Sequence, residues 1–400
     1  MIRSGCTIVS FNYLAYARTL CGSFLDANPG CNFYVLLVDR LPADFDRSGE
    51  QFDLITVEEL AIPNFLSVAF KYDILELNTN VKPTFLTTLL NRGADEVVYL
   101  DPDIFIYREL SPVFDALENY AIVLTPHALS PFPDPQSEVT LLSAGVFNLG
   151  FIAVRNSPEA RRFLSWWEVR CLNLAFEEPR TALFVDQKWI NLAPCFFESV
   201  TVLKHIGCNM AYWNLHERKL SRHEEKWLVN GSDLLIFFHF SGISVDGKAR
   251  VSKYTDEFTL ENRPDLLQLF EDYRSELIHH GIRDSCKGKY AFESFDNGQF
   301  INRLTRSFYA ANLEKFSGED PFRSSSNFYR WAKARKVFSR RESSKLYTSK
   351  SYSKSDPRVR LVQRMLRLAL RLLGADRYTM LMKYLSYISI LRNQGDVLGK

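Results

Sequence analysis

Short apolar runs alternate with helix-spaced segments through the first 240 residues of this 400-residue chain, and few folds accept that alternation. The runs Thr7 to Phe11 (within a first strand entered directly from Met1), Asn32 to Asp39, Glu96 to Asp101, Ala121 to Pro126 and Phe147 to Val154 have strand length and strand composition. Between them, Leu14 to Ala27 and Val81 to Asn91 have helical spacing and stop at Asn28-Pro29-Gly30 and Gly93. Strands alternating with helices predict an α/β domain with a mainly parallel sheet. Such a sheet binds its ligand beyond the carboxyl ends of its strands, at a switch point.

Shorter strands are expected at Ser199 to Lys204, Met210 to Asn214, Lys226 to Val229 and Leu234 to Phe240, then a helix from Glu261 to His280. Residues 284–330 show no sustained period and read as an irregular segment. Four regions are therefore expected: a catalytic α/β domain over 1–280, an irregular wrapping segment over 281–338, a Ser-rich basic linker over 339–356 and a helical tail over 357–400.

Composition narrows the class. At 46% hydrophobic and 24% charged residues the chain is neither disordered, nor collagen-like, nor a coiled-coil rod. Seven cysteines form no C-x-x-C pair, so neither a disulfide framework nor a zinc ribbon is expected, and a reducing, cytoplasmic setting fits. Neither a secretory signal nor an apolar run long enough to span a bilayer is expected. The net charge of +2 does not suggest a nucleic-acid partner. Its distribution is uneven, because residues 333–377 hold 14 Lys/Arg against 3 Asp/Glu, a net of +11, beside an acidic remainder. Arg358 to Leu373 mixes leucines with arginines as a basic amphipathic helix, followed by a second apolar stretch from Tyr378 to Leu391. Two readings stay open for it: a hairpin packed on the body, or peripheral attachment to an anionic membrane surface at its inner face.

Chemistry concentrates at Val97-Val98-Tyr99-Leu100-Asp101-Pro102-Asp103-Ile104. A buried strand delivers two carboxylates one residue apart, and residues i and i+2 of a strand face the same way. Oxygen ligands so placed suit Mn²⁺ or Mg²⁺ bridging a diphosphate, whereas a D-P-D turn merely ending a strand is the bland alternative. A second strand, Ile236 to Phe240, delivers His239 ahead of Ser241-Gly242. That histidine is either a core residue or a third ligand, and Gly242 would let a phosphate approach the backbone.

Together, Y-L-D-P-D and H-F-S-G resemble the D-x-D and H-x-x-G pair of GT-A-fold, nucleotide-sugar-dependent glycosyltransferases, with glycosyltransferase family 8 the nearest group. Ala144 to Phe151 is similar to the family's N-x-G strand, and Val185 to Asn191 to its D-Q-x-x-x-N element. Glu76 to Pro83 is placed as its basic segment before the D-x-D strand. The resemblance spans about residues 5–260 and leaves the tail uncovered.

It implies a GT-A fold and a hexosyltransferase that moves a sugar, UDP-hexose being the expected donor, to a glycan acceptor in surface or lipid-linked polysaccharide synthesis, with retention. Asp101, Asp103 and His239 would hold the metal; Asn148, Asp186 and Gln187 would act at the reacting centre. Asn12, Tyr13, Lys82, Asp101, Gly242 and Lys248 would bind the nucleotide donor. Three alternatives accompany these roles: Tyr13 as a core residue, Lys82 as a surface lysine and Asp186 as a helix N-cap. Residues 209–216 form an aromatic and amide cluster suited to a saccharide. One position departs from the family: Val245 stands where its members carry a lysine, and Lys248 is the substitute. A sugar-nucleotide pyrophosphorylase would need a Gly-rich phosphate loop near the amino terminus, and Ser10 to Leu20 shows none. The remaining rival is a catalytically silent glycan-binding relative.

Overall fold

The computed structural model describes residues 1–246, 249–285, 289–338 and 356–396. They fall into two compact units, one made of the described residues of 1–65 and 74–291, the other of 66–73 and the described residues of 292–396.

The first unit is mixed α/β around a seven-stranded sheet. Strand β1 (Arg3–Val9) leads through one 3-10 turn into α1 (Leu14–Ala27), and β2 (Asn32–Leu37) and β3 (Asp53–Thr56) follow. The sheet order is β10-β6-β7-β4-β1-β2-β3, with β4 (Glu96–Leu100), β6 (Ile122–Pro126), β7 (Phe147–Arg155) and β10 (Val200–Val202) completing it. Neighbours pair in parallel, except that β7 runs against both β4 and β6. From β1 the chain builds outward to β2 and β3, then returns to place β4 on the other side. This reversal makes the β1–β4 junction the switch point where an open sheet binds ligands. Every residue of β4 is buried, as a central strand covered on both faces requires.

Helices α3 (Ile74–Asn80) and α4 (Lys82–Asn91) precede β4, α5 (Ser111–Asn119) follows it, and α6 (Pro135–Ala144) and α7 (Pro158–Leu174) flank β7. Short β8 (Glu177–Glu178) and β9 (Leu183–Phe184) pair as a ribbon ahead of α8 (Ala193–Phe196). A ribbon of β11 (Leu220–His223), β12 (Lys226–Val229) and β13 (Asp233–Leu234) lies before β14 (Phe237–His239). That last strand pairs antiparallel with β5 (Ile104–Ile106), setting His239 opposite Ile104. Helices α9 (Leu267–His279) and α10 (Ile282–Ser285) end the unit, and Tyr273 of α9 stacks on Phe240 at 3.8 Å.

Several expectations need correction. Strand β3 was not anticipated, because Asp53-Leu54-Ile55-Thr56 is too short to show a period. Residues 210–214 are not a strand: Met210 makes one isolated bridge to Phe238, and Tyr212–Asn214 is a 3-10 turn. The helix expected from Glu261 starts at Leu267, after Pro264 has set a 3-10 entry. The segment 284–330 is irregular only in part among the described residues: α11 (Arg303–Ala311) forms within it and α12 (Asn327–Ala334) begins at its end, behind the N-caps Asn302 and Ser326.

Those helices belong to the second unit, with residues 66–71 of α2 (Phe65–Lys71) at its centre. Phe70 meets Phe295, Tyr309, Phe322 and Phe328 at 4.7 to 5.5 Å between ring centroids. Buried Arg306 donates to the carbonyls of Ala69, Phe70, Tyr72 and Phe292. The last helix, α13 (Pro357–Ile388), is broken at Gly374, whose φ of 74° and ψ of 170° are not helical. None of its residues is buried among the described residues. The Ser-rich linker lies almost wholly outside the described residues, which resume at residue 356.

Candidate active site

At the carboxyl end of β4 the chain turns sharply, the Ile104 amide returning to the Asp101 carbonyl at 3.0 Å. The Asp101 amide donates to the Gly150 carbonyl of β7 at 2.7 Å. Tyr99, two residues back and on the same side of the strand, donates its hydroxyl to Asp101 Oδ1 at 2.7 Å. Burial first, then the Asp101 charge, pushes that phenol well above its ordinary pKa, so it remains a donor.

Register brings the histidine in. Because β14 pairs with β5, His239 Nε2 reaches 2.9 Å from Asp103 Oδ1 and 3.8 Å from Asp101 Oδ2. The imidazole is 3% exposed, while the Asp101 and Asp103 side chains are 32% and 22% exposed. The histidine thus enters from the core and the carboxylates open outward. Burial alone would lower the imidazole's pKa, but the Asp103 charge and then that of Asp101 outweigh it and hold it above the ordinary value. Nδ1 has no hydrogen-bond partner among the described residues, so Nε2 is the nitrogen presented to the acids.

One ligand atom from each of the three side chains lies within 4.8 Å of the others. Two carboxylate oxygens and one imidazole nitrogen are a donor set that suits Mn²⁺ or Mg²⁺. The chain keeps the space open at Gly150, where an added Cβ would lie 2.4 Å from His239 Cε1 and 2.8 Å from Asp101 Oδ2. The residues present therefore fit a divalent cation.

Asp101 and His239 line a cleft of about 720 Å³, with Lys82, Asn148, Asp186 and Gln187 also on its walls. Asn148 is buried on β7; its Oδ1 accepts from Asn209 Nδ2, which also donates to Thr125 Oγ1. Gln187 is held by backbone at both ends of its amide, accepting from Leu149 N at 3.0 Å and donating to Ala144 O at 3.1 Å. Asn191 accepts from Val146 N, so the D-Q-x-x-x-N element staples the 144–149 segment in place.

Asp186 occupies the N-cap position of the 3-10 helix Gln187–Leu192, but its carboxylate makes no capping bond and pairs instead with Lys82 Nζ at 2.7 Å. Burial raises its pKa, and the Lys82 charge opposes the rise. Nor is Lys82 a surface lysine, being 1% exposed. Its ammonium is engaged by Asp186, by the Leu149 carbonyl at 2.7 Å and by the face of Tyr99. This differs from a mobile cation reaching for phosphates. Val185, just before Asp186, has φ of 43°, a strained value for a β-branched residue at the cleft wall.

Tyr13 is not a core residue; it is 40% exposed and stacks on Tyr16 at 5.0 Å. Asn12 accepts from Ser10 Oγ. Both follow the carboxyl end of β1, and neither is among the described residues lining the cleft. Gly242 has φ of 74°, and an added Cβ would strike Ser252 Oγ at 2.7 Å, so packing as well as backbone freedom demands glycine there. Val245 packs against the apolar cluster around Phe240, and Lys248 lies outside the described residues.

One neighbour, His127, escaped the sequence reading. His127 follows β6, and Trp213 meets both its ring and that of His239 edge-on at 5.3 and 5.1 Å. Burial lowers the His127 pKa to about 4, so its imidazole is neutral at pH 7. A lone histidine after Thr125-Pro126 carries no motif that could have marked it.

No family model matches the chain. It is 25% identical over 289 residues to the uncharacterised protein YfnF of Bacillus subtilis (strain 168), covering 70% of this chain and 94% of that protein. Among solved structures it is similar to glycosyltransferases. One is the galactosyltransferase LgtC in complex with donor and acceptor sugar analogues, at 17% identity and a TM-score of 0.42, covering 68% of this chain and 95% of LgtC. Another is the glycosyltransferase GlyE of Streptococcus pneumoniae TIGR4, at 19% identity and a TM-score of 0.41, covering 74% of this chain and 67% of GlyE.

Proposed function

We propose that the chain is a metal-dependent GT-A glycosyltransferase that moves a sugar from a nucleotide donor to a glycan acceptor. The observation carrying this reading is the convergence of Asp101, Asp103 and His239 at the switch point, on a cleft walled by amides, a carboxylate and aromatic rings. Residues 1–65 and 74–291 would form the catalytic unit. A bound Mn²⁺ or Mg²⁺ would neutralise charge developing on a departing diphosphate. Asp101 and Asp103 would hold it from the open side and His239 from the core side. Asn148 would offer its amide to sugar hydroxyls. Gln187 would keep the 144–149 segment at a fixed distance from the reacting carbon. Asp186, fixed by Lys82, would place a carboxylate beside an oxocarbenium-like centre. Tyr13 has an exposed ring at the end of β1 where a nucleotide base would stack. UDP-hexose is the donor we assign, with transfer by retention in the cytoplasm. The acceptor is a surface or lipid-linked polysaccharide, for which Tyr212 and Trp213 supply ring faces.

The deciding experiment is a donor screen. Full-length protein with Mn²⁺ is incubated with a panel of nucleotide sugars, and release of the nucleoside diphosphate is scored. Release from a UDP-hexose that is lost with chelator and with Asp103→Asn supports the reading. Release from no donor, with or without a glycan acceptor, would overturn it in favour of a silent sugar-binding protein.

A further inference from the structure

The first half of α13 presents an apolar face that is exposed among the described residues. Leu361, Met365, Leu368 and Leu372 are 56 to 76% exposed, and Val362 is 54% exposed. Arg360, Arg364, Arg367 and Arg371 recur at i, i+4, i+7 and i+11, which at about 100° per residue confines them to a stripe about 60° wide. Apolar residues fill about 200° of the remaining circumference, interrupted only by Arg358 in the first turn. Acidic residues are absent from Pro357 to Ala375. Beyond the break at Gly374 the character changes, and Leu381, Met382 and Ile388 are half-buried.

We infer that residues 357–373 are an in-plane membrane helix whose partner is a bilayer carrying anionic lipid. Width and charge select that partner. A second helix covers a narrow seam, whereas a face wider than half the circumference needs a continuous apolar medium. A helix sunk to that extent has its axis on the acyl side of the phosphate plane. Its opposite, all-arginine stripe then lies at phosphate level, where unopposed guanidinium groups meet anionic headgroups. No helix among the described residues is long and apolar enough to cross a membrane, so the segment lies in the surface. This inference goes beyond the glycosyltransferase reading and does not depend on it.

The test uses the full chain and needs no substrate. Wild-type protein is sedimented with phosphatidylglycerol/phosphatidylcholine vesicles and with phosphatidylcholine vesicles. Two variants run beside it: Arg360→Gln/Arg364→Gln/Arg367→Gln/Arg371→Gln, and Leu368→Gln/Leu372→Gln. Each basic group near an anionic surface strengthens partition about fivefold at low salt, so the four-arginine variant should bind at least 100-fold more weakly. The leucine variant should lose at least tenfold, and added salt should weaken binding of the wild type more than that of the four-arginine variant. Both should keep the wild-type melting temperature, because neither alters a buried residue. Variants pelleting like wild type, or equal binding to neutral vesicles, would overturn the inference. So would a dimer in solution that the leucine variant abolishes, since a second copy would then cover the face.

Discussion

A methyl group added to Gly150 would press on His239 Cε1 and Asp101 Oδ2 at once, while leaving the β7 backbone free to keep its extended form. Gly150→Ala should therefore spare the fold and lower Mn²⁺ affinity at least tenfold, read by calorimetric titration in the presence of UDP. Unchanged affinity would remove the triad from consideration as a metal site. Asp103→Asn should abolish the same binding signal, because one charge of two is lost. His239→Ala should weaken it less, since diphosphate oxygens or water can replace one nitrogen. Lys82 and Asp186 form a different kind of pair, both nearly inaccessible to water. Removing one partner strands the other's charge, so Lys82→Met should cost about 3–5 kcal/mol in urea unfolding. Adding Asp186→Asn to it should restore most of that loss, and failure to do so would show that Lys82 acts through packing.

Between elements, pairing register does what local propensity cannot. The D-P-D pair and the histidine are distant in sequence, and only the alignment of β14 on β5 puts Nε2 against Asp103. The motifs were legible because β4 ends in acids after an apolar run and β14 ends in a histidine. Helix α1 was legible to its last residue, since Asn28-Pro29-Gly30 stops it. Other features were hidden for physical reasons. Strand β3 offers four residues, too few for a period, and gains its place from β2 alone. Residues 210–214 have strand composition, yet Asn209 at φ of 54° turns the backbone, and Asn214 bonds the Ala211 amide and the His127 carbonyl. The aromatic residues of 303–334 read as unpatterned because they serve a core built partly from residues 66–73. His127, at the end of β6, supplies a pH prediction. Its folded pKa of about 4 lies below the unfolded value near 6.5, so protons favour the unfolded chain. Its contribution is full above about pH 6.5 and is lost as pH falls to 4, by about 3 kcal/mol. Between those values the stability of His127→Gln should fall less steeply than wild type by that amount; parallel curves would show that the imidazole is not held neutral.

For the whole molecule, the division into a sheet-based unit and an aromatic unit assigns distinct consequences to distinct residues. Arg306 ties α2 to Phe292 through four carbonyls, so Arg306→Met leaves buried acceptors unpaired. It should add an early thermal transition, with protease cutting first within 292–338 while 74–291 persists. A single transition at the wild-type temperature would mean that the clip is redundant. The tail prediction also changes shape at this scale. Val337 is buried and Asn302 bonds its carbonyl, so truncation at residue 333 would damage a core, and point substitutions on α13 are the sound probe. The interrupted make-up of the aromatic unit also sets a schedule for synthesis. Phe70 leaves the ribosome with its neighbours, but the 218 residues from 74 to 291 must be made before Phe295, Tyr309 or Phe328 exists to receive it. At about 5–20 residues per second that wait is roughly ten to forty seconds. Throughout it the sheet-based unit is itself still being made, while a greasy segment waits for partners not yet translated, and a chaperone that shields it would be of most use in that interval.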